Sequence, residues 1–456
     1  MQVRRGNGMR KRQGKRAGLI FVSMVLIMGA LGCSGKSGTG ADNAGETGKT
    51  ADKTFDFQQS ATLTMFNGTV SPDYYKDYVE PHIKKKFPNV KIEHINPGDP
   101  GNGLDSLIAA QKIPDIYLTA TNGVPALLER GLLADIDPIA KTNKIDLTVF
   151  EDPMLQSIRG ISAKGELFGL PWTYGSTALF YNKDIFDRYG IAYPKSGMTW
   201  DSPELRDLVV KLNRPQDGIR GIMFNLGNML GQNQLSLPLV DPKTDKALVQ
   251  AEGFKRILDT FASLYKLGGE VDPADFDASG QKAFITKRNV AIWAGNAVYP
   301  MLIDLEKKGQ GFNWDIVSLP TFKEAPGIGT QYFGAVWAVS AANGKQELAT
   351  HIISLLTSAE VQIEGGGLIR FPTLKDPTVK DSLGKGDSFL QSKNMKSLQI
   401  NKIPAATTPT KYDSAASGVL VSKAVEVIRG QKDSNTALRE AAEEIEKKIA
   451  EIRGAK

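Results

Sequence analysis

The chain has 456 residues, too many for one compact core and enough for two domains. Apolar residues make up 41% and charged residues 23%, the balance of a globular protein. Its formal charge of +6 is local: Arg4, Arg5, Arg10, Lys11, Arg12, Lys15 and Arg16 precede Cys33 with no acid among them, and beyond them 49 basic face 50 acidic side chains. A near-neutral body has no excess cations to displace counterions from phosphates, which excludes nucleic acid as a partner. One cysteine excludes an internal disulfide, a CxxC redox site and a multi-cysteine zinc site. Three histidines, His82, His94 and His351, leave little for metal or acid–base work, and no metal is expected.

The basic stretch is followed by sixteen uncharged residues, 17–32. The apolar run within it, Leu19 to Leu31, is thirteen residues, short of the ~20 needed to span a bilayer. It therefore reads as a secretory signal over residues 1–32. Ala30-Leu31-Gly32-Cys33 closes it and resembles a bacterial lipobox, which implies lipidation of Cys33 at a mature N-terminus, with Ala30 where leucine is commonest. Residues 34–54 contain no Leu, Ile, Val or aromatic residue and cannot bury a core. After a lipidated Cys33, the segment 33–54 is expected to be a disordered tether with a root-mean-square reach of roughly 25 Å. Gly48-Lys49-Thr50 imitates the end of a phosphate loop, but Asn43 replaces its first glycine and no strand precedes it.

Residues 61–131 alternate strand and helix. Strands are expected at Ala61 to Phe66, Val90 to Ile95 and Asp115 to Leu118. Helices are expected at Tyr74 to Phe87, ended by Pro88, at Leu104 to Gln111, and at Pro125 to Arg130, stopped by Gly131. That alternation predicts an α/β lobe with a largely parallel sheet, in which ligands bind beyond the carboxyl ends of the strands. The loops at Phe66-Asn67-Gly68 and Thr119-Ala120-Thr121-Asn122 are the candidates. The pattern restarts near Trp172, with a strand at Ala178 to Tyr181 and helices at Ser202 to Leu212, Gly253 to Leu267, Lys345 to Leu356 and Ala415 to Ile428. The last helix, Asn435 to Arg453 with Gly454 as its cap, places Leu438, Ala442, Ile445, Ile449 and Ile452 at spacings of 4, 3, 4 and 3. That spacing fits a dimer seam or a helix packed on its own lobe; fewer than three heptads favours the packed helix.

The passage Gly169-Leu170-Pro171-Trp172-Thr173-Tyr174-Gly175, continuing to Tyr181-Asn182-Lys183-Asp184, resembles a central motif of family 1 extracellular solute-binding proteins, the sugar receptors of ABC importers. Pro194, Thr199 and Trp200 follow it in the family's order. Pro114-Asp115-Ile116, Gly131 to Ile136, and Leu319-Pro320-Thr321-Phe322-Lys323 ahead of Gly334 resemble further blocks, over roughly residues 60–430. The resemblance implies a two-lobe α/β fold of the type II periplasmic-binding-protein kind, with a ligand cleft between the lobes and three crossover strands. It implies a first lobe from 55–173 plus about 338–385 and a second from 174–337 plus about 386–456. It also implies a carbohydrate ligand, an ABC permease as partner, no cofactor, a monomer, and a place on the outer face of the cytoplasmic membrane through the lipid anchor. Two departures stand out: Gly175 where the maltose-binding protein has a sugar-contacting acid, and Gly295-Asn296 where many members have Gly-Pro/Ser-Trp.

A sugar offers apolar C–H faces and a rim of hydroxyls, so its site needs aromatic platforms and directional polar side chains. The candidates beside the expected hinge and loops are Phe66, Trp172, Tyr174, Trp293, Tyr332 and Phe333, with Asn67, Asn122, Asn225, Asn228, Asn296 and Arg370. Trp200 and Asp115 are expected to be structural. No HExxH, GxSxG or cysteine nucleophile is present, and no catalytic residue is assigned. A glycoside hydrolase needs only two carboxylates, so a secreted carbohydrate-active enzyme remains the alternative, as does a ligand receptor for a membrane sensor. Asp275 to Gly280 imitates the start of a calcium loop, but its twelfth position is Thr286 rather than glutamate.

Overall fold

A computed structural model describes residues 55–267, 279–296, 298–367, 370–405 and 407–454. The expected signal and tether, with Cys33, lie outside the described residues, as does most of the calcium-loop imitation. Among the described residues ten strands form two sheets: β1 Ala61–Asn67, β2 Val90–Ile95, β3 Ile116–Ala120, β4 Gly169–Tyr174, β5 Ala178–Asn182, β6 Arg220–Phe224, β7 Val290–Gly295, β8 Trp314–Ser318, β9 Gly334–Val339 and β10 Phe371–Pro372. The six-stranded sheet runs β10-β4-β9-β3-β1-β2 and the four-stranded sheet β6-β7-β5-β8. Each is the centre of its own apolar cluster, one holding Leu63, Tyr117, Trp172 and Trp337, the other Phe180, Phe224, Trp293 and Trp314.

The expected parallel arrangement holds for β1 with β2 and β3, and for β6 with β7. The sheets as wholes are mixed. β9 lies antiparallel between β3 and β4, β10 is antiparallel to β4, and β5 is antiparallel to both β7 and β8. The cause is connectivity: β9 re-enters the first sheet after an excursion through the second, so it arrives from the opposite end. β9 begins at Gly334, so Gly334 to Trp337 belong to the first sheet, ahead of the boundary expected at 338. The chain changes sheet between Tyr174 and Ala178, again between Ser318 and Gly334, and after β10, where Leu374 and Val379 sit in the first core but Leu383 in the second.

The helices follow their local sequence. Ser202 caps Pro203–Leu212 by accepting from the Leu205 N–H at 3.2 Å. The helix expected from Tyr74 runs from Pro72 to Lys86 and contains one π turn, Tyr75–Val79. Pro81 supplies the reason: it has no N–H to donate to the preceding turn, and its ring crowds the carbonyl four residues back. Trp200 is buried, with its indole N–H on Gln234 Oε1 at 2.7 Å, and Asp115 is buried, accepting from the Thr64 N–H at 2.7 Å and pairing with Lys345 at 3.2 Å. Both are structural, as expected.

The last helix, Ser434–Gly454, packs against Asp413–Ile428 and Glu252–Leu267 of its own lobe and runs through Gly454 instead of stopping before it. Leu438, Ala442, Ile445 and Ile449 are buried there, and Lys423 sits within 3.5 Å of Glu426, Glu440 and Glu444. The apolar stripe is thus spent within the chain. Leu438→Ala is expected to lower the unfolding free energy by about 2–5 kcal/mol in urea, with no change in molecular mass by light scattering.

Candidate functional site

Between the two sheets lies a cleft of about 1040 Å³, solvent at its mouth included. The first lobe contributes Thr121 and Asn122, from the turn that ends β3, and Ser157 from the helix Asp152–Arg159. The second contributes Asn228 and Gln232, which follow β6, and Ser414 and Ser417 from the first turns of Asp413–Ile428. Tyr332 and Phe333 enter from the second crossover. Tyr332 is buried and Phe333 is 37% exposed, the profile of an available platform.

The site is set by how β9 begins. The Thr121 hydroxyl donates to the Gly334 carbonyl at 3.0 Å and accepts from the Gly334 N–H at 3.2 Å. Gly334 has to lack a side chain, because a Cβ there would come within 2.0 Å of the Thr173 carbonyl oxygen. The floor is stitched by Gln331, whose amide donates to the Asn233 carbonyl at 3.0 Å and accepts from the Thr407 hydroxyl at 2.5 Å. Lys411 of the second lobe meets Glu129 of the first at 2.6 Å, an exposed tie worth about 0–1 kcal/mol.

Two acceptors in the cleft are buried without a hydrogen-bond partner, Asn228 Oδ1 and Gln232 Oε1. Buried polar atoms are nearly always bonded, so these two are placed to receive donors from outside the chain. The carboxylate in the lining is Asp413, whose two oxygens accept from the Thr410 N–H at 2.7 Å and the Thr410 hydroxyl at 2.8 Å. Burial pushes its carboxyl above the usual carboxylate range, opposed by those two bonds. Burial likewise pushes the Tyr332 hydroxyl up, so it stays protonated.

Of the residues singled out from sequence, Asn122, Asn228, Tyr332 and Phe333 line this cleft. The others are placed elsewhere, for identifiable reasons. Asn67 is buried and its amide is consumed: Oδ1 accepts from the Thr69 and Val70 N–H groups, and Nδ2 reaches the Val70 carbonyl and His94 Nε2. Asn225 caps the helix Leu226–Gly231, accepting from the Asn228 N–H at 3.1 Å, and so positions Asn228. Phe66 packs against the first core, 6.0 Å from Tyr117. Trp172 is 3% exposed, 5.1 Å from Trp337, and belongs to the first core. Trp293 is fully buried in the second, between Phe180 and Phe284, with its indole N–H on the Ser279 carbonyl at 2.7 Å. Arg370 covers the Tyr74 ring at 4.3 Å and comes within 5.9 Å of Trp172. Tyr174 packs on Phe371 at 5.5 Å and faces a separate cavity of about 960 Å³ with Pro372 and Leu398. Asn296 lies against Gly175: its amide nitrogen is 2.9 Å from where a Cβ of Gly175 would stand, so it fills the room left by the missing acid side chain.

Sequence reasoning missed Ser157, Gln232, Thr407, Asp413, Ser414 and Ser417. The available signal was three small or acidic polar residues, Asp413, Ser414 and Ser417, clustered in the first turns of a helix whose buried positions are apolar.

Two α/β lobes joined by three crossovers, with a polar cleft between them, define a two-lobed binding protein. Solved structures share this fold. A sugar transporter from Rhizobium etli in an open conformation aligns with a TM-score of 0.69 at 21% identity, over 85% of this chain and 99% of that one. An ABC substrate-binding protein from Listeria monocytogenes in complex with cycloalternan aligns at 0.66 and 18% identity, over 86% and 100%. The sequence model of the bacterial extracellular solute-binding proteins matches residues 68–363, and the chain belongs to that family. Curated relatives include the mannitol-binding protein of Pseudomonas aeruginosa, 27% identical over 157 residues, and the arabinooligosaccharide-binding protein of Bacillus subtilis, 27% identical over 190. The matched stretches span 32% and 40% of this chain and only 35% and 38% of those relatives.

The burial contrast between two aromatics yields a paired expectation. Trp172→Ala should cost about 3–5 kcal/mol of stability in chemical denaturation. Phe333→Ala should change stability by no more than about 0.5 kcal/mol.

Proposed function

We propose that the protein captures a sugar or oligosaccharide between its lobes and delivers it to the permease of an ABC transporter. In this reading it is a monomer held on the outer face of the cytoplasmic membrane by a lipid on Cys33. The observation that carries the reading is the cleft itself. Both lobes present hydroxyl and amide side chains to it, two buried acceptors lack partners, and Phe333 offers an exposed ring. Those are the groups that bind a hydroxyl rim and a C–H face. Two relatives, a mannitol-binding and an arabinooligosaccharide-binding protein, support the ligand class. The one carboxylate among the described lining residues is held by Thr410, whereas glycoside hydrolysis calls for a pair, and this favours binding over catalysis.

A ligand that touches both lobes favours the closed arrangement by its greater affinity for it. A thermal-shift screen of mannitol, raffinose, arabino-oligosaccharides and maltodextrins should find a member that raises the melting temperature. At 100 times its Kd the gain is about 2.7 kcal/mol. The same sugar should shrink the radius of gyration in solution scattering. Release of shortened sugar on incubation, or no shift across the screen, would count against the proposal. Asn228→Leu removes an acceptor that the folded chain leaves unpaired. It should weaken sugar binding by about 1–3 kcal/mol in calorimetry without lowering the stability of the unliganded protein.

A further inference from the structure

The cleft is poor in charge. Among its described lining residues the polar groups are hydroxyls and neutral amides, with Asp413 the single charged side chain. Asp413 stands in the first turn of Asp413–Ile428, beside Ser414 and one helical turn from Ser417, both of which line the cleft. Its hydrogen bonds come from neutral donors on Thr410. Lys411, two residues earlier in the chain, is committed to Glu129 across the lobes at 2.6 Å. No lysine, arginine or histidine is among the described lining residues.

We infer that the cleft takes uncharged glycans and that Asp413 is the residue that turns acidic ones away. A uronate or sugar phosphate brought between the lobes loses water from its anionic group and needs a cation or several N–H donors in return. This cleft offers neutral side chains and one like charge. Repulsion between like charges strengthens as closure replaces water by protein, so the penalty falls on the closed complex rather than on the first encounter. An uncharged hydroxyl meets no such penalty; it finds the free acceptors of Asn228 and Gln232. The inference rests on the reading of the cleft as a sugar site and adds a rule of exclusion to it.

The test uses the full chain and matched probes: maltotetraose, raffinose and arabinotriose, each beside a counterpart bearing one terminal carboxylate, titrated calorimetrically. For any neutral probe that binds, the carboxylate counterpart should bind at least 100-fold more weakly. Asp413→Asn should then narrow that ratio at least tenfold. Ser414→Lys, which sets a cation on an exposed position beside Asp413, should narrow it as well and keeps the question open to measurement if Asp413→Asn folds poorly. A carboxylate probe that binds the unaltered protein within tenfold of its neutral partner overturns the exclusion while leaving sugar capture intact. A ratio unmoved in both variants takes the role away from Asp413. Failure of every neutral and acidic probe removes the sugar reading itself, and this inference with it.

Discussion

One threonine hydroxyl holds the place where the two lobes meet. Thr121 gives its proton to the Gly334 carbonyl and takes the Gly334 N–H, fixing the first residue of β9 to the end of β3. Each bond is worth only about 0.5–1.5 kcal/mol. Their importance is positional. β9 is the strand that returns from the second lobe, and it lies between β3 and β4 in the first sheet. Its starting point sets where Tyr332 and Phe333 stand in the cleft and how closely the second crossover approaches the first. Gly334 allows that approach because any side chain would strike the Thr173 carbonyl.

From that point the cleft assembles from parts that are ordinary taken singly. Asn225 caps a short helix and so aims Asn228. Gln331 binds the Asn233 carbonyl and the Thr407 hydroxyl, drawing two distant segments to one floor. Asn296 occupies the room that Gly175 leaves. Two acceptors without a partner, Asn228 Oδ1 and Gln232 Oε1, sit on the cleft wall. That placement leaves the surface between the lobes with bonds still to make until a ligand arrives.

Much of this was readable in advance. The strands at Ala61, Val90 and Ala178, the Ser202 cap and the inward stripe of the last helix follow local rules of alternation and capping, and they stand where those rules put them. Asn122 and Asn228 were findable because polar residues just beyond strand ends face the cleft. The aromatics were harder. Whether Trp172 is platform or core depends on Trp337, 165 positions later, and Trp293 is enclosed by Phe180 and Phe284. Asn67 looked free, but its own loop and His94 use its amide completely. Ser414 and Ser417 escaped notice because small polar residues at a helix start look the same whether they face water or a ligand.

The threefold passage of the chain between sheets also governs the order in which the molecule takes shape. Neither lobe is a continuous stretch. The first sheet lacks two of its six strands until β9 and β10 have been made, and the second core is open until Ile445 and Ile449 are in place. A growing polypeptide therefore cannot finish its N-terminal half while the remainder is being synthesised, as chains of consecutive domains do. Both cores close together, from a nearly whole chain. Such a molecule stays pliable until its last helix is released.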